Sequence, residues 1–112
     1  MDWALNPSGF YFDASNSSHA TELAALSLIG PAAFAYRDFS GSFTFSNLTS
    51  IPSHAFCWVS DTRTNSYSCQ LSFPSVTSIS NYAFQSRRGL TKVIANNCIT
   101  ISSCAFSGCR DL

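Results

Sequence analysis

The side chains best suited to chemistry are five cysteine thiols, and one of them, Cys57, follows His54 by three residues. A thiol becomes a catalytic nucleophile when a base takes its proton and a third group orients that base. Near Cys57, only His54 and Asp61 could fill these roles. However, equivalent segments of the chain carry an alanine, a tyrosine and a cysteine in place of His54, which is typical of a tolerant surface position. We therefore predict that the protein is not an enzyme.

The cysteines and histidines also lack the pattern of a metal site. Structural zinc sites use four Cys or His ligands with short paired spacings such as Cys-x-x-Cys. The cysteines stand at positions 57, 69, 98, 104 and 109, and no Cys-x-x-Cys occurs. The sequence therefore predicts neither a metal nor another cofactor.

Composition bears on the partners and on the compartment. The formal net charge is zero and only 11% of residues are charged, whereas nucleic-acid-binding domains normally carry a basic face. No apolar run approaches the roughly 18 residues of a membrane helix. We expect no nucleic-acid partner and no membrane insertion. The first residues lack the basic and apolar regions of a signal peptide, which fits either a cytoplasmic protein or a secreted one without its leader.

Four Ala-Phe pairs organise the chain, and they end at Phe34, Phe56, Phe84 and Phe106. Their spacings are 22, 28 and 22 residues, and an isoleucine stands five residues before each Phe. Three residues before that isoleucine comes an apolar residue, which in the last unit is Cys98, acting there as a small core hydrophobe. Two further apolar residues at spacing two precede it in three units, whereas the first unit has Thr21 and Leu23. Self-similarity at this period indicates a solenoid.

The spacing of the apolar columns predicts the shape of each unit. Apolar residues at i and i+2 lie on one face of a short strand, and the following intervals of three suit a chain that turns corners. A unit cannot bury its inward face alone, but stacked units form one core and one parallel sheet. The fold class is therefore a repeat solenoid of about four coils, with short parallel strands on one side.

The stretches LTSIPSHAF, VTSISNYAF and LTKVIANNCITISSCAFSGC resemble the BspA-like, treponemal-type leucine-rich repeat. The resemblance covers roughly residues 21–112. The cysteine that ends the family's repeat is matched only by Cys109. The resemblance implies a curved leucine-rich-repeat solenoid with parallel strands on its concave side and an irregular or 3-10 convex side. It also implies surface-exposed or secreted microbial proteins that bind other proteins and have no catalytic activity.

The two ends of the chain differ from the repeat. Residues 1–20 do not fit it and are interpreted as an N-terminal cap or degenerate repeat, with a strand at 10–12, ahead of an array at 21–112. Leu112 aligns with Leu90, which begins a strand, so the last coil is expected to have an open edge. Two interpretations of that edge are open: the array is truncated there, or the edge pairs with another chain.

Residues 57–70 contain an insertion of six residues relative to the neighbouring units. Binding residues often lie on loops of a rigid scaffold, and Trp58, Arg63 and Tyr67 are of types that dominate binding hot spots. The alternative is a surface loop whose Trp packs on the neighbouring coil. Cys57 and Cys69 flank the insertion, and a disulfide between them could close its base.

The outward strand positions form a second candidate surface. Thr44, Ser72 and Ile94 stack in one outward column, with Ser42, Gln70 and Lys92 beside them and Ala20 and Glu22 in the first unit. This surface is polar and nearly neutral, so it suits shape-dependent contact with a protein or glycan, with weak salt dependence. Four charged residues near the unit ends are expected to form a solvated edge with weak ion pairs: Asp38, Arg87, Arg88 and Asp111.

These observations predict a non-catalytic, adhesin-like protein-binding module of a surface or secreted microbial protein. Its expected partner is a protein ligand, for example a host or extracellular-matrix protein. The expected contact residues are Thr44, Ser72, Lys92 and Ile94 on the strands, together with Trp58, Arg63 and Tyr67. The alternative function is a spacer or assembly unit of a longer repeat protein, self-associating end to end through its open C-terminal edge.

Overall fold

Seven short strands and one helix make up the secondary structure of the residues that the structure describes. The computed structural model describes residues 11–58 and 68–112. The strands are β1 (Tyr11–Asp13), β2 (Asp38–Thr44), β3 (Ser50–Ile51), β4 (Cys69–Ser72), β5 (Ser78–Ile79), β6 (Leu90–Ile94) and β7 (Thr100–Ile101). The helix, α1, spans Ser17–Ala25 between β1 and β2.

The strands form two parallel sheets that the chain visits in turn. The larger sheet has the order β1-β2-β4-β6, and the smaller one has the order β3-β5-β7. We call the stretch of chain from one strand of the larger sheet to the next a coil. Because every coil runs the same way and pairs with the coils beside it, the architecture is the stacked solenoid predicted from the repeat. The side expected to be irregular or 3-10 instead carries turns and the two-residue strands of the smaller sheet.

The apolar columns of the repeat form the core. Phe43, Leu71 and Val93 are paired across the larger sheet, and Ile51, Ile79 and Ile101 are paired across the smaller one. The parallel register thus places equivalent side chains one above another, although the steps between them are 28 and 22 residues. Nineteen buried residues form one hydrophobic cluster, against which Cys98 packs while partly buried.

The phenylalanines of the Ala-Phe pairs stack as a continuous column. The ring centroids of Phe34, Phe56, Phe84 and Phe106 lie 5.3, 5.0 and 5.0 Å apart in sequence, with interplanar angles of 18°, 6° and 4°. Burial of one such ring stabilises the fold by about 1.5–3 kcal/mol. The alanine before each Phe is small enough for one coil to lie directly on the next.

Main-chain hydrogen bonds join the coils along this column. The N–H of Phe34 donates to the carbonyl of Ala55 at 2.8 Å, and the N–H of Phe56 donates to the carbonyl of Ala83 at 2.7 Å. Phe84 repeats the bond with Ala105 at 2.7 Å. Each coil therefore supplies acceptors for the N–H groups of the coil before it.

Four equivalent turn residues have left-handed backbone conformations although none is glycine. Their φ values lie between 58° and 60°, and they are Ala32, His54, Tyr82 and Cys104. The position that tolerates these different side chains is thus fixed in its backbone, because the turn requires positive φ there. Positive φ at a residue with a side chain costs of order 1 kcal/mol.

The first coil differs from the prediction. A helix, α1, occupies the segment in which Thr21 and Leu23 were expected to form a strand, so Ala20 and Glu22 do not belong to the strand surface. The Asn16 side chain caps the helix by accepting from the N–H of Ser18 at 3.0 Å. This cap favours helix over strand, while β1 takes the strand position by pairing with β2. The helix also crosses the boundary expected at residue 20 between cap and array.

Strand β2 is long because it pairs with two different neighbours. Its residues 38–40 pair with β1, and its residues 41–44 pair with β4. The change occurs at Gly41, which has a φ of 98°. A Cβ atom at this position would lie 2.6 Å from the Cβ of Ala14. Gly41 therefore permits both the conformation and the close approach of the first coil.

Candidate binding surface

The outward residues of the larger sheet form a regular surface, which we call the strand ladder. Ser42, Gln70 and Lys92 are paired across β2, β4 and β6, and Thr44, Ser72 and Ile94 form the parallel column. Ser42, Thr44, Gln70 and Lys92 are exposed, whereas Ser72 and Ile94 are half-buried. The alternation places these side chains opposite the core residues Phe43 and Leu71, as predicted for a half-buried strand.

The strand ladder carries little charge. Among its six residues only Lys92 is ionisable, and the others offer hydroxyl, amide and aliphatic groups. Hydroxyls and the Gln70 amide can both donate and accept hydrogen bonds, and Ile94 supplies an apolar contact at one end. Such a surface can bind a partner by shape and hydrogen bonding rather than by charge attraction.

Trp58 is packed within the molecule. Only 7% of its surface is exposed. Its ring lies edge-on to Tyr36 with centroids 5.6 Å apart, and the guanidinium of Arg87 lies 5.4 Å from its centroid. Trp58 is thus positioned as in the alternative interpretation of the insertion, in which it packs on the neighbouring coil. Its role as a binding anchor stays a prediction. Arg63 and Tyr67, the other expected anchors of the insertion, lie outside the described residues.

Arg87 is buried, so the solvated edge predicted for it is wrong. It is 1% exposed and spans three coils. Its Nε donates to the carbonyl of Phe56 at 2.7 Å, and its Nη2 donates to the carbonyl of Phe34 at 3.0 Å. Its Nη1 donates to the carbonyl of Arg37. These charge-assisted bonds, and the rings of Trp58 and of Phe39 at 5.5 Å, compensate for burial of the cation.

Cys109 makes an equivalent hydrogen bond in the next coil. Its thiol donates to the carbonyl of Phe84 at 3.0 Å, just as Arg87 donates to the carbonyl of Phe56. Arg87 and Cys109 hold equivalent places in their repeats, which explains how the repeat accepts either residue. The sequence pattern does not predict these hydrogen bonds, because the acceptor carbonyls belong to preceding coils.

Asp111, one of the two acidic residues of the expected charged edge, has a specific contact. Asp111 is exposed, and its Oδ2 accepts from the N–H of Gly89 at 2.8 Å. A carboxylate that accepts a main-chain N–H ties the end of the last coil to the coil before it.

Cys57 and Cys69 are both buried and have free thiols in the structure. Burial raises the pKa of Cys69 to about 11, against the opposing charge of Arg87. Because both thiols are free, this structure does not contain the predicted disulfide. The pairing stays a prediction. Alkylation with and without a reductant would test it, because a bridged pair is alkylated only after reduction.

The His54 ring contacts Ser53 and Tyr82. The His54 Nδ1 lies 2.7 Å from the Ser53 hydroxyl, and its ring stacks on Tyr82 with centroids 5.3 Å apart. Burial raises the pKa of Cys57, which opposes formation of the reactive thiolate. Within residues 11–58 and 68–112, no group of three or more potential metal-ligating side chains was found. No helix among the same residues is long and apolar enough to span a membrane.

The last coil exposes an apolar face, which we call the end face. It contains a cavity of about 330 Å³, whose lining includes Val93, Cys98, Ile101, Phe106 and Leu112. Ile101 is 60% exposed, while its equivalents Ile51 and Ile79 are 0% and 1% exposed. The last coil of the structure thus exposes an isoleucine whose equivalents in the two preceding coils are buried.

The comparison with known families agrees with this architecture. A family model described as "BspA type Leucine rich repeat region (6 copies)" matches residues 8–72 and 60–112. These matches include the insertion within residues 57–70 and extend beyond the start of the array predicted at residue 21. Neither a curated protein nor a solved structure matches the chain.

Proposed function

Because the chain belongs to the BspA-type leucine-rich repeat family, we propose that it is a non-catalytic, adhesin-like module that binds a protein through the strand ladder. Families of this kind generally serve protein–protein interaction. The single observation that carries the choice of surface is the register of β2, β4 and β6, which aligns six outward side chains in two columns. The stacked core holds these side chains on rigid strands.

The proposed partner is an extracellular protein, and the proposed location is the cell surface or the extracellular medium. BspA-type repeats are typically found on surface or secreted proteins, which supports this location. A nearly neutral surface of hydroxyl, amide and aliphatic groups favours a partner that is recognised by shape. A protein ligand of the host or its extracellular matrix fits this description.

The proposal is tested by binding of the purified module to a panel of purified extracellular-matrix proteins. The variant Ser42→Glu/Thr44→Glu places two charges on the strand ladder, at two exposed positions. The control Thr49→Glu/Ser50→Glu makes the same two changes at exposed positions near the smaller sheet. We expect the ladder variant to weaken binding at least tenfold and the control to change it less than threefold. Equal effects, or no binding by any panel member, would contradict the proposal.

The alternative function, an assembly unit that self-associates through its C-terminal edge, has one observation in its favour. The end face exposes apolar side chains, including Ile101 and Leu112, at 60% and 52% exposure. Sedimentation equilibrium over a range of concentrations tests this function. It requires a dimer whose formation depends on the end face, and a monomer at every concentration would exclude it.

A further inference from the structure

The turn between β2 and β3 carries a motif that the ladder function does not use. Residues 47–49 read Asn-Leu-Thr, which is a sequon for N-linked glycosylation. Asn47 and Thr49 are exposed, whereas Leu48 between them is 1% exposed. Burial of Leu48 holds the main chain of the turn in place, so the two polar side chains that the reaction requires both remain accessible from solvent.

The side chains equivalent to Asn47 in the two following coils bind the coil before them. Ser75 donates through its Oγ to the carbonyl of Ser46 at 2.7 Å. Asn97 donates through its Nδ2 to the carbonyl of Pro74, also at 2.7 Å. In both coils, a polar side chain at this position thus contributes to the stacking of one coil on another.

Asn47 differs from these equivalents because helix α1 precedes it. The residue that corresponds to Ser46 and Pro74 in the first coil is Ala24, which lies within α1. Among the described residues, no hydrogen-bond partner contacts the Asn47 amide or the Thr49 hydroxyl. The amide nitrogen of Asn47 is therefore available at the surface, and a glycan attached to it would displace no hydrogen bond of the fold.

A second sequon provides the contrast. Residues 16–18 read Asn-Ser-Ser, but Asn16 is the N-cap of α1. Its Oδ1 accepts from the N–H groups of Ser18 and His19, at 3.0 and 3.4 Å. The fold thus already uses the side chain of Asn16, whereas it does not use that of Asn47.

We propose that Asn47 is the acceptor of an N-linked glycan. This inference rests on the proposed extracellular location, because the transferase and its donor belong to the secretory pathway. The donor is an oligosaccharide joined to a lipid through a diphosphate. The Asn47 Nδ2 atom forms a bond to C1 of the first sugar, while the bond from C1 to the diphosphate oxygen breaks. The amide gives up one proton, and the lipid diphosphate is the leaving group.

The modified turn and the strand ladder are different parts of the same coil. Asn47 lies after the ladder residue Thr44 at the end of β2, where the chain turns towards β3 of the smaller sheet. A glycan is bulky and hydrophilic, so it would cover this turn. The inference therefore adds a modification site to the binding surface proposed above.

The test uses the full 112-residue chain, secreted from a eukaryotic cell line behind a cleavable signal peptide. Intact mass and peptide maps are recorded before and after treatment with peptide N-glycosidase, which converts a glycosylated asparagine to aspartate. We expect a glycan on Asn47 in most of the molecules. Asn47→Gln and Thr49→Val should remove this glycan, whereas Thr49→Ser should retain it because serine keeps the hydroxyl.

Asn16→Gln is the matched control for the second sequon, and it should leave the glycan on Asn47 in place. Circular dichroism should show the same fold for Asn47→Gln as for the original chain, since the substitution removes no hydrogen bond. Two results would overturn the inference: secreted protein without a glycan on Asn47, or a glycan on Asn47 that persists in the Thr49→Val variant.

Glycosylation and ladder binding can fail separately. The ladder variant Ser42→Glu/Thr44→Glu leaves the sequon intact, so it should keep the glycan while it loses binding to the matrix protein. A secreted module that binds through the ladder but carries no glycan on Asn47 would contradict this inference alone. A module that is glycosylated at Asn47 and binds no matrix protein would contradict only the proposed function.

Discussion

Arg87 illustrates how a charged side chain can join the coils of an apolar solenoid. Its guanidinium donates to carbonyls of Phe34, Arg37 and Phe56, and it lies against the Trp58 ring. Arg87 therefore joins three coils through its hydrogen bonds, and its contribution is to stability.

Replacing Arg87 with methionine should reduce the free energy of unfolding by about 2–4 kcal/mol. Methionine fills part of the volume of the Arg87 side chain but cannot donate hydrogen bonds. The buried carbonyls therefore lose their charge-assisted hydrogen bonds, and each loss costs about 1–3 kcal/mol where no water replaces the donor. Urea unfolding of both proteins measures the difference. Arg110→Met is the matched control, because Arg110 is exposed, and it should change stability by less than about 0.5 kcal/mol. Equal losses would show that Arg87 has no special role.

The sequence predicts which residues face inward or outward wherever equivalent positions recur in each coil. The stacked phenylalanines, the isoleucine column and the outward residues Thr44, Ser72 and Ile94 all follow from the spacing, because one coil repeats the next. The burial of Arg87 did not follow, since its acceptors lie 31 to 53 residues away. The left-handed turn column was also missed, because no glycine marks it.

Among the elements, helix α1 and strand β2 show how the first coil joins the regular array. The helix replaces an expected strand, and its signal was present in the sequence as Asn16, a good N-cap, before a run of helix-compatible residues. Thr21 and Leu23 fitted the strand column loosely, and Leu23 is buried in the helix instead. Apolar spacing over a short segment does not by itself separate helix from strand.

Gly41→Ala should destabilise the protein by about 1–3 kcal/mol. The φ of 98° is unfavourable for alanine, and the new methyl group would meet Ala14 at 2.6 Å. Thermal unfolding followed by circular dichroism measures the loss. The control is Gly30→Ala, since an added Cβ at Gly30 has nothing within 4 Å, and its stability should stay within about 0.5 kcal/mol of the original. If the stability of the Gly41→Ala variant were unchanged, β1 would be able to move away from β2 without a cost in free energy.

At the scale of the whole molecule, the solenoid presents two surfaces with different chemistry. The strand ladder is polar and nearly neutral, whereas the end face is apolar. The ladder could be derived from the sequence, because equivalent residues align along the strands. The exposure of the end face required the structure, since Ile101 is 60% exposed whereas its equivalents Ile51 and Ile79 are buried.

The claim that the strand ladder is the contact surface is tested most directly by site-specific photo-cross-linking. Benzoylphenylalanine replaces Gln70, an exposed residue on the ladder strand β4, or Thr77, an exposed residue beside the smaller sheet. Each protein is irradiated with a matrix protein that the unmodified module binds. We expect a cross-linked product from position 70 and little or none from position 77. Cross-linking from position 77 alone would contradict the ladder as the contact surface and would place the contact beside the smaller sheet.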